Sequence, residues 1–163
     1  MTRTPALRAR RPAARGEHFE PHVAGLDYGV LDDLVGYAIR RAQITIYEDF
    51  LAALTDWDIT PQRFSALTLI ANNDGMKLTD LARALGIARS GAVQVVDQLQ
   101  ALGMVERRET PADRRAYALA VTASGRRALQ QITAAVQSHD QRISARLAPA
   151  QRRQLIELLG LLG

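Results

Sequence analysis

A chain of 163 residues with 21 basic and 17 acidic side chains suits one folded domain carrying an extension. The lack of cysteine excludes a disulfide framework, a thiolate metal site and a thiol redox switch. The three histidines, His18, His22 and His139, stand at no ligand spacing, so no metal and no other cofactor is expected. No apolar run reaches the roughly 18 residues that span a membrane, and the Arg-rich start lacks the apolar stretch of an export signal. A cytoplasmic protein is the expectation.

Charge is unevenly placed. Five arginines lie at positions 3–15, and the rest of the chain carries 16 basic against 17 acidic residues, so the basic balance belongs mainly to the tail. Residues 29–76 hold three basic and seven acidic side chains, whereas residues 77–127 hold nine basic and five acidic. Such a split points to one face turned toward a polyanion; an unevenly charged solvated surface is the plainer alternative.

In chain order, residues 1–25 are rich in Arg, Ala and Pro. They have little apolar surface to offset the entropy of ordering and are expected to form a disordered basic N-terminal arm, either an aid to phosphate attraction or only a solubilising leader. Residues 30–54 repeat apolar side chains at helical spacing, among them Leu31, Leu34, Ala38, Ala42, Ile46 and Phe50. Thr60 and Pro61 open a second helix as N-cap and first turn; it buries Phe64, Leu67 and Ile70 and ends at residues 72–75. Thr79 is expected to cap a third helix with Leu81, Ala82 and Leu85, closed by Gly86. A fourth runs over residues 89–102 and stops at Gly103.

Residues 104–108 and 116–121 read as two strands around a turn whose Pro111 cannot sit inside a paired strand. Thr122 caps a long helix with Leu129, Ile132, Val136, Ile143 and Leu147 on one face, and Pro149 opens a last, Leu-rich helix. The leucines of that chain end exceed what a small core covers. Self-association as a two-fold dimer is expected, packing onto the chain's own domain being the alternative.

The fourth helix and the hairpin together carry the functional signal. Ala92, Val95, Val96 and Leu99 share one helix face and turn inward, which leaves Arg89, Ser90, Gly91, Val93, Gln94 and Gln98 on the other. A recognition helix reads base edges with its first turns. Gln94 can pair with adenine, Arg89 with guanine or phosphate, and Val93 with a thymine methyl. The hairpin bears Arg107, Arg108, Arg114 and Arg115, with Asp113 near its tip. Four like charges on a thin hairpin repel one another unless a polyanion neutralises them, and arginine suits the negative potential of a narrow minor groove. Asp113, itself repelled by DNA, would hold a neighbouring arginine in position.

On these residues the chain resembles the MarR family of transcriptional regulators, over about residues 30–162. The likeness is carried by Thr60-Pro61, Leu81-Ala82, Leu85-Gly86, Leu99 with Gly103, and Glu106-Arg107. The wing Asp113-Arg114-Arg115 and Val121-Thr122 with Gly125 continue it. The resemblance implies a MarR-type domain over residues 26–163, mainly α with a small β-hairpin wing. Its winged helix-turn-helix lobe would occupy about residues 60–122, with N- and C-terminal dimerisation helices at about 30–55 and 123–162. It also implies a homodimer that represses from pseudo-palindromic double-stranded DNA and is released by a small ligand. In the family's Asp-x-Arg wing motif Asp113 would orient Arg115 into the minor groove. Two residues depart from the pattern: Gly91 stands where a hydroxyl residue is common, and Ala88 where a polar cap is. Both leave the start of the fourth helix weakly held.

For the ligand, Tyr37, Arg40, Arg41, Ile44 and Tyr47 fall within three turns of the first helix. Adjacent arginines can pair with a carboxylate or phosphate, and tyrosines can line an aromatic slot. GYAIRRAQ resembles the first helix of MarR members that govern aromatic-acid catabolism, so an aromatic acid or acyl-CoA effector is implied. An ordinary ion-paired helix face near Asp32, Asp33, Glu48 and Asp49 is the alternative. Two other functions remain open, a winged-helix protein-interaction module and a ligand-independent DNA-binding activator. With no Cys nucleophile, metal spacing or phosphate-binding Gly loop, no catalytic residues are assigned and an enzyme is disfavoured.

Overall fold

A computed structural model describes residues 20–110 and 113–162, and of residues 110 and 113–116 the backbone alone. The expected N-terminal arm lies outside the described residues as far as residue 19. The chain divides after Thr45 into two compact units, described here one at a time. None of the described helices is long and apolar enough to cross a membrane.

In the first unit the Asp27 carboxylate accepts the Gly29 N–H at 2.8 Å and opens a 3-10 turn over Gly29–Asp33. Leu34 then adopts an extended conformation (φ −95°, ψ 117°), so helix α1 (Val35–Ala53) starts at Val35. The helical spacing predicted from residue 30 is correct in kind, but the extended Leu34 breaks it into a short turn and a helix.

In the second unit Thr60 accepts the Arg63 N–H at 3.3 Å and Pro61 begins helix α2 (Pro61–Asn72), as expected. Strand β1 (Met76–Lys77) follows, and then helix α3 (Leu78–Leu85). Its N-cap is Lys77, with no side-chain bond, so the predicted Thr79 cap is wrong: Thr79 lies inside the first turn. Gly86, in the left-handed region at φ 64°, closes α3 and turns the chain into helix α4 (Arg89–Ala101). A second left-handed glycine, Gly103 (φ 69°), ends α4.

Strands β2 (Val105–Thr110) and β3 (Asp113–Val121) are longer than predicted. They pair antiparallel, Val105 with Val121 and Arg107 with Leu119, down to Thr110 with Asp113. The unpredicted β1 pairs with the other edge of β3, giving a three-stranded sheet of order β1-β3-β2. Thr122 then caps helix α5 (Ala123–Ile143) by accepting the Gly125 N–H at 2.9 Å. Its own N–H bonds Met104 O at 3.0 Å and its hydroxyl bonds Gly103 O at 2.7 Å, which ties the start of α5 to the exit of α4.

One core unites these elements. Leu67 and Ile70 of α2, Leu81 of α3, Val96 and Leu99 of α4, Leu119 of β3 and Ile132 of α5 are all fully buried. Of the apolar face predicted for α5, Ile132 is buried and Leu129 and Val136 are partly covered, whereas Ile143 and Leu147 are exposed. Helix α6 (Pro149–Gly160) has no buried residue, so its leucines do not pack onto the chain's own core.

Candidate nucleic-acid interface

Helix α4 is held by its apolar face. Ala92, Val96 and Leu99 are fully buried, which fixes the rotation of the helix and turns Arg89, Ser90, Gln94 and Gln98 to solvent. Gly91 and Val93 are half-buried on the flanks of the inward stripe. Val93 is therefore a less open apolar contact than its place in the sequence suggests. Ala88 provides no side-chain cap, so the first N–H groups of α4 stay available to an external acceptor. Arg89 meets no side-chain partner among the described residues.

Gln98 and the strand arginines are engaged. Arg63 on α2 donates from Nε to Gln98 Oε1 at 2.9 Å and also bonds the Asp58 carbonyl and carboxylate, the latter at 3.4 Å. Arg107 donates to Gln100 Oε1 and Asp97 Oδ1, both at 2.6 Å. The two-residue strand period explains this, because it puts Arg107 on the same face as the buried Val105, where α4 packs. Arg108 faces the other way and pairs with Glu106 at 2.7 Å. The hairpin arginines on β2 are thus partly neutralised from within. Asp113, Arg114 and Arg115 lie on β3 beside the hairpin end; their side chains lie outside the described residues.

Of the candidate ligand residues, Tyr37 and Arg41 come together. The Arg41 guanidinium lies 5.4 Å from the centroids of both the Tyr37 and Tyr28 rings and 3.3 Å from the Asp32 carboxylate. Tyr28 was not foreseen, because it precedes the helical pattern. Arg40 instead bonds Gln43 at 3.3 Å, Ile44 is half-buried, and Tyr47 is exposed.

One polar centre escaped the sequence reading entirely. His139 of α5 is buried, its Nδ1 2.6 Å from Asp49 Oδ2, and its ring meets Phe50 edge-on at 5.3 Å. Arg142 adds a second contact to the same carboxylate oxygen at 3.1 Å. The His139 bond, with help from Arg142 and against the effect of burial, holds the Asp49 carboxyl below its usual range. The spacing of His139 from Ile132 and Val136, seven and three residues on, placed it on the inward stripe of α5 and was the available signal.

Two helices joined by a glycine turn, followed by a two-stranded hairpin, define a winged helix-turn-helix protein. A family model described as the MarR family matches residues 57–116. A transcriptional regulatory protein ascribed to the hcr operon of Thauera aromatica is 39% identical over 146 residues, which is 89% of this chain and 88% of that protein. An HTH-type transcriptional repressor of Mycobacterium tuberculosis is 28% identical over 83% of this chain and 98% of its own length. Among solved structures, the repressor CouR bound to a 23-mer DNA duplex is 36% identical, with a TM-score of 0.79 over 83% of this chain and 96% of that one. CouR bound to p-coumaroyl-CoA is 34% identical with a TM-score of 0.76, over 83% and 95%. The chain belongs to the MarR family of winged-helix transcriptional regulators.

Proposed function

We propose that the protein is a homodimeric repressor that reads a two-fold DNA site with α4 and the wing and is released by an aromatic acyl-CoA thioester. The observation that carries the DNA reading is the exposed polar face of α4. Arg89, Ser90 and Gln94 stand out from a helix whose other face is locked in the core. The likeness to CouR, solved on DNA, supports it. For the dimer, Ile156, Leu158 and Leu161 at the chain end are 61, 53 and 79% exposed, an apolar surface that a second copy would cover. For the effector, the contact of Arg41 with two tyrosine rings supports an anionic aromatic ligand, and CouR was solved with such a thioester.

The test is retention of host genomic fragments by the purified chain, then binding to a retained duplex with and without p-coumaroyl-CoA or free p-coumarate. Enrichment of sites sharing an inverted repeat, bound by a species of twice the chain mass and released by the thioester, is expected. Binding should weaken steeply with salt as counterions return to the phosphates, and Arg115→Ala should weaken it without unfolding the chain. A flat salt response would refute the backbone-and-wing picture, and no enrichment at moderate salt would count against DNA reading. Release by neither compound would remove the proposed effector class and leave the DNA reading intact.

A further inference from the structure

Gln98 and Gln94 lie one turn apart on the exposed face of α4, yet their surroundings differ. Gln94 has no side-chain partner among the described residues, so its amide can present oxygen and nitrogen together. Gln98 is less free to do so, because one of the two lone pairs of its Oε1 already receives the Arg63 Nε–H at 2.9 Å. A guanidinium only donates, so the atom facing it must be the oxygen whichever way the amide is drawn. Arg63 is itself anchored, since it bonds the Asp58 carbonyl and carboxylate and its side chain is only 16% exposed. Asp58 is placed for this by a left-handed backbone (φ 51°), the one such non-glycine residue among those described. The Nε2 group of Gln98 keeps two N–H donors with no acceptor among the described residues.

We infer that Gln98 reads DNA through its Nε2 donors, with Arg63 as the positioning residue that occupies its oxygen. An adenine pair needs the glutamine oxygen to accept from N6 while the nitrogen donates to N7. With the Arg63 guanidinium already bonded to that oxygen and competing with adenine N6 for it, Gln98 instead selects a base edge that offers an acceptor, guanine O6 or N7 or thymine O4. Gln94 keeps the two-sided pairing that suits adenine. The inference rests on the proposed reading of DNA by α4 and adds the polarity of one contact.

The experiment is selection of bound sequences from a randomised duplex library by the full chain, its Gln98→Ala, Gln98→Glu, Arg63→Ala and Arg63→Lys variants, with thermal unfolding recorded for each. The relevant position is the one whose preference collapses in Gln98→Ala. The wild type should prefer guanine or thymine there by about 10-fold. Arg63→Ala should cut this below roughly 3-fold, with adenine rising, and leave the other positions unchanged. Arg63→Lys should restore the preference, because an ammonium also donates to Oε1. Gln98→Glu, which loses the donors but keeps Arg63 paired, should move the choice to cytosine, whose N4 amine donates. Adenine selected by the wild type at that position would overturn the inference. So would a profile unchanged by Arg63→Ala, guanine or thymine retained by Gln98→Glu, or an equal loss on all sequences in Gln98→Ala, the mark of a phosphate contact. Failure of the wild type to enrich any sequence would remove the DNA reading itself, and this inference with it.

Discussion

The same substitution should have opposite signs at two helical glycines. Alanine in place of glycine in an open helix gains roughly 0.5–1 kcal/mol of backbone entropy and propensity. At Gly91 a Cβ would meet only the Ile87 side chain, at 3.6 Å and beyond, which is ordinary contact. Gly91→Ala should therefore stabilise by about that 0.5–1 kcal/mol. At Gly125 a Cβ would lie 2.8 and 2.9 Å from the Met104 carbonyl carbon and Cα, and closer still to its oxygen. Those atoms are backbone at the entry to β2 and cannot swing aside, so the start of α5 has to move. Movement breaks the bonds from Thr122 N–H to Met104 O and from its hydroxyl to Gly103 O. Two neutral hydrogen bonds at about 1 kcal/mol each, plus about 1–3 kcal/mol of overpacking, less the helix gain, leave a loss of about 2–4 kcal/mol. Urea unfolding at one fixed protein concentration, followed by far-UV circular dichroism, measures both variants; fixing the concentration holds the mass-action contribution of association constant across the comparison. A Gly125→Ala variant within about 0.5 kcal/mol of wild type would refute the close-approach argument, as would both variants moving in the same direction.

Three further outcomes are expected. Thr60→Ala removes the cap on α2 and should lose about 1 kcal/mol in the same unfolding assay, whereas Thr60→Ser should be close to neutral; equal losses would sink the cap assignment. Asp49 has its pKa lowered in the folded chain, so its contribution is present above the unfolded value and is lost as pH falls through the folded one. Stability should drop below about pH 4, and Asp49→Asn should flatten that part of the acid limb; parallel curves from pH 5 to 2 for both proteins would contradict it. Arg89→Ala should weaken binding to a retained duplex by roughly 10-fold with little change in unfolding. Arg107→Ala should instead show in unfolding, by up to about 1 kcal/mol, because its partners are Asp97 and Gln100; the reverse order would mean the two roles are exchanged.

The parts of the fold that were legible are those written in local chemistry. Thr60-Pro61, Gly86, Gly103 and Thr122 each mark a helix boundary by a mechanism that needs no partner elsewhere, and each boundary is where it was expected. Thr79 misled because a capping residue can equally sit in a first turn, and Leu78 begins the helix by packing rather than by a side-chain cap. Strand β1 has only two residues, too few to show a period, and exists because β3 offers it an edge. The engagement of Arg107 could have been read from strand alternation with Val105, but its acceptors on α4 come from ten and seven residues away, at a distance that only the packed hairpin closes. Arg63 and Gln98 are 35 residues apart and carry no shared motif.

These arginines divide by task, and net charge alone hides the division. Arg63, Arg107 and Arg108 are spent on Asp58, Asp97 and Glu106. Exposed pairs of this kind contribute little to stability, but each joins neighbouring elements or strand residues and so fixes where α4 and the hairpin point. Lys77, Arg83, Arg89, Arg126 and Arg127 have no side-chain partner among the described residues. Arg126 and Arg127 stand near the start of α5, where a helix dipole disfavours cations. An isolated chain gains nothing from cations left unpaired in that position, whereas a chain lying against phosphates does. Of the basic residues in 77–127 whose side chains are described, Arg107 and Arg108 are paired within the chain, and Lys77, Arg83, Arg89, Arg126 and Arg127 form the set that the proposed DNA contact would draw on.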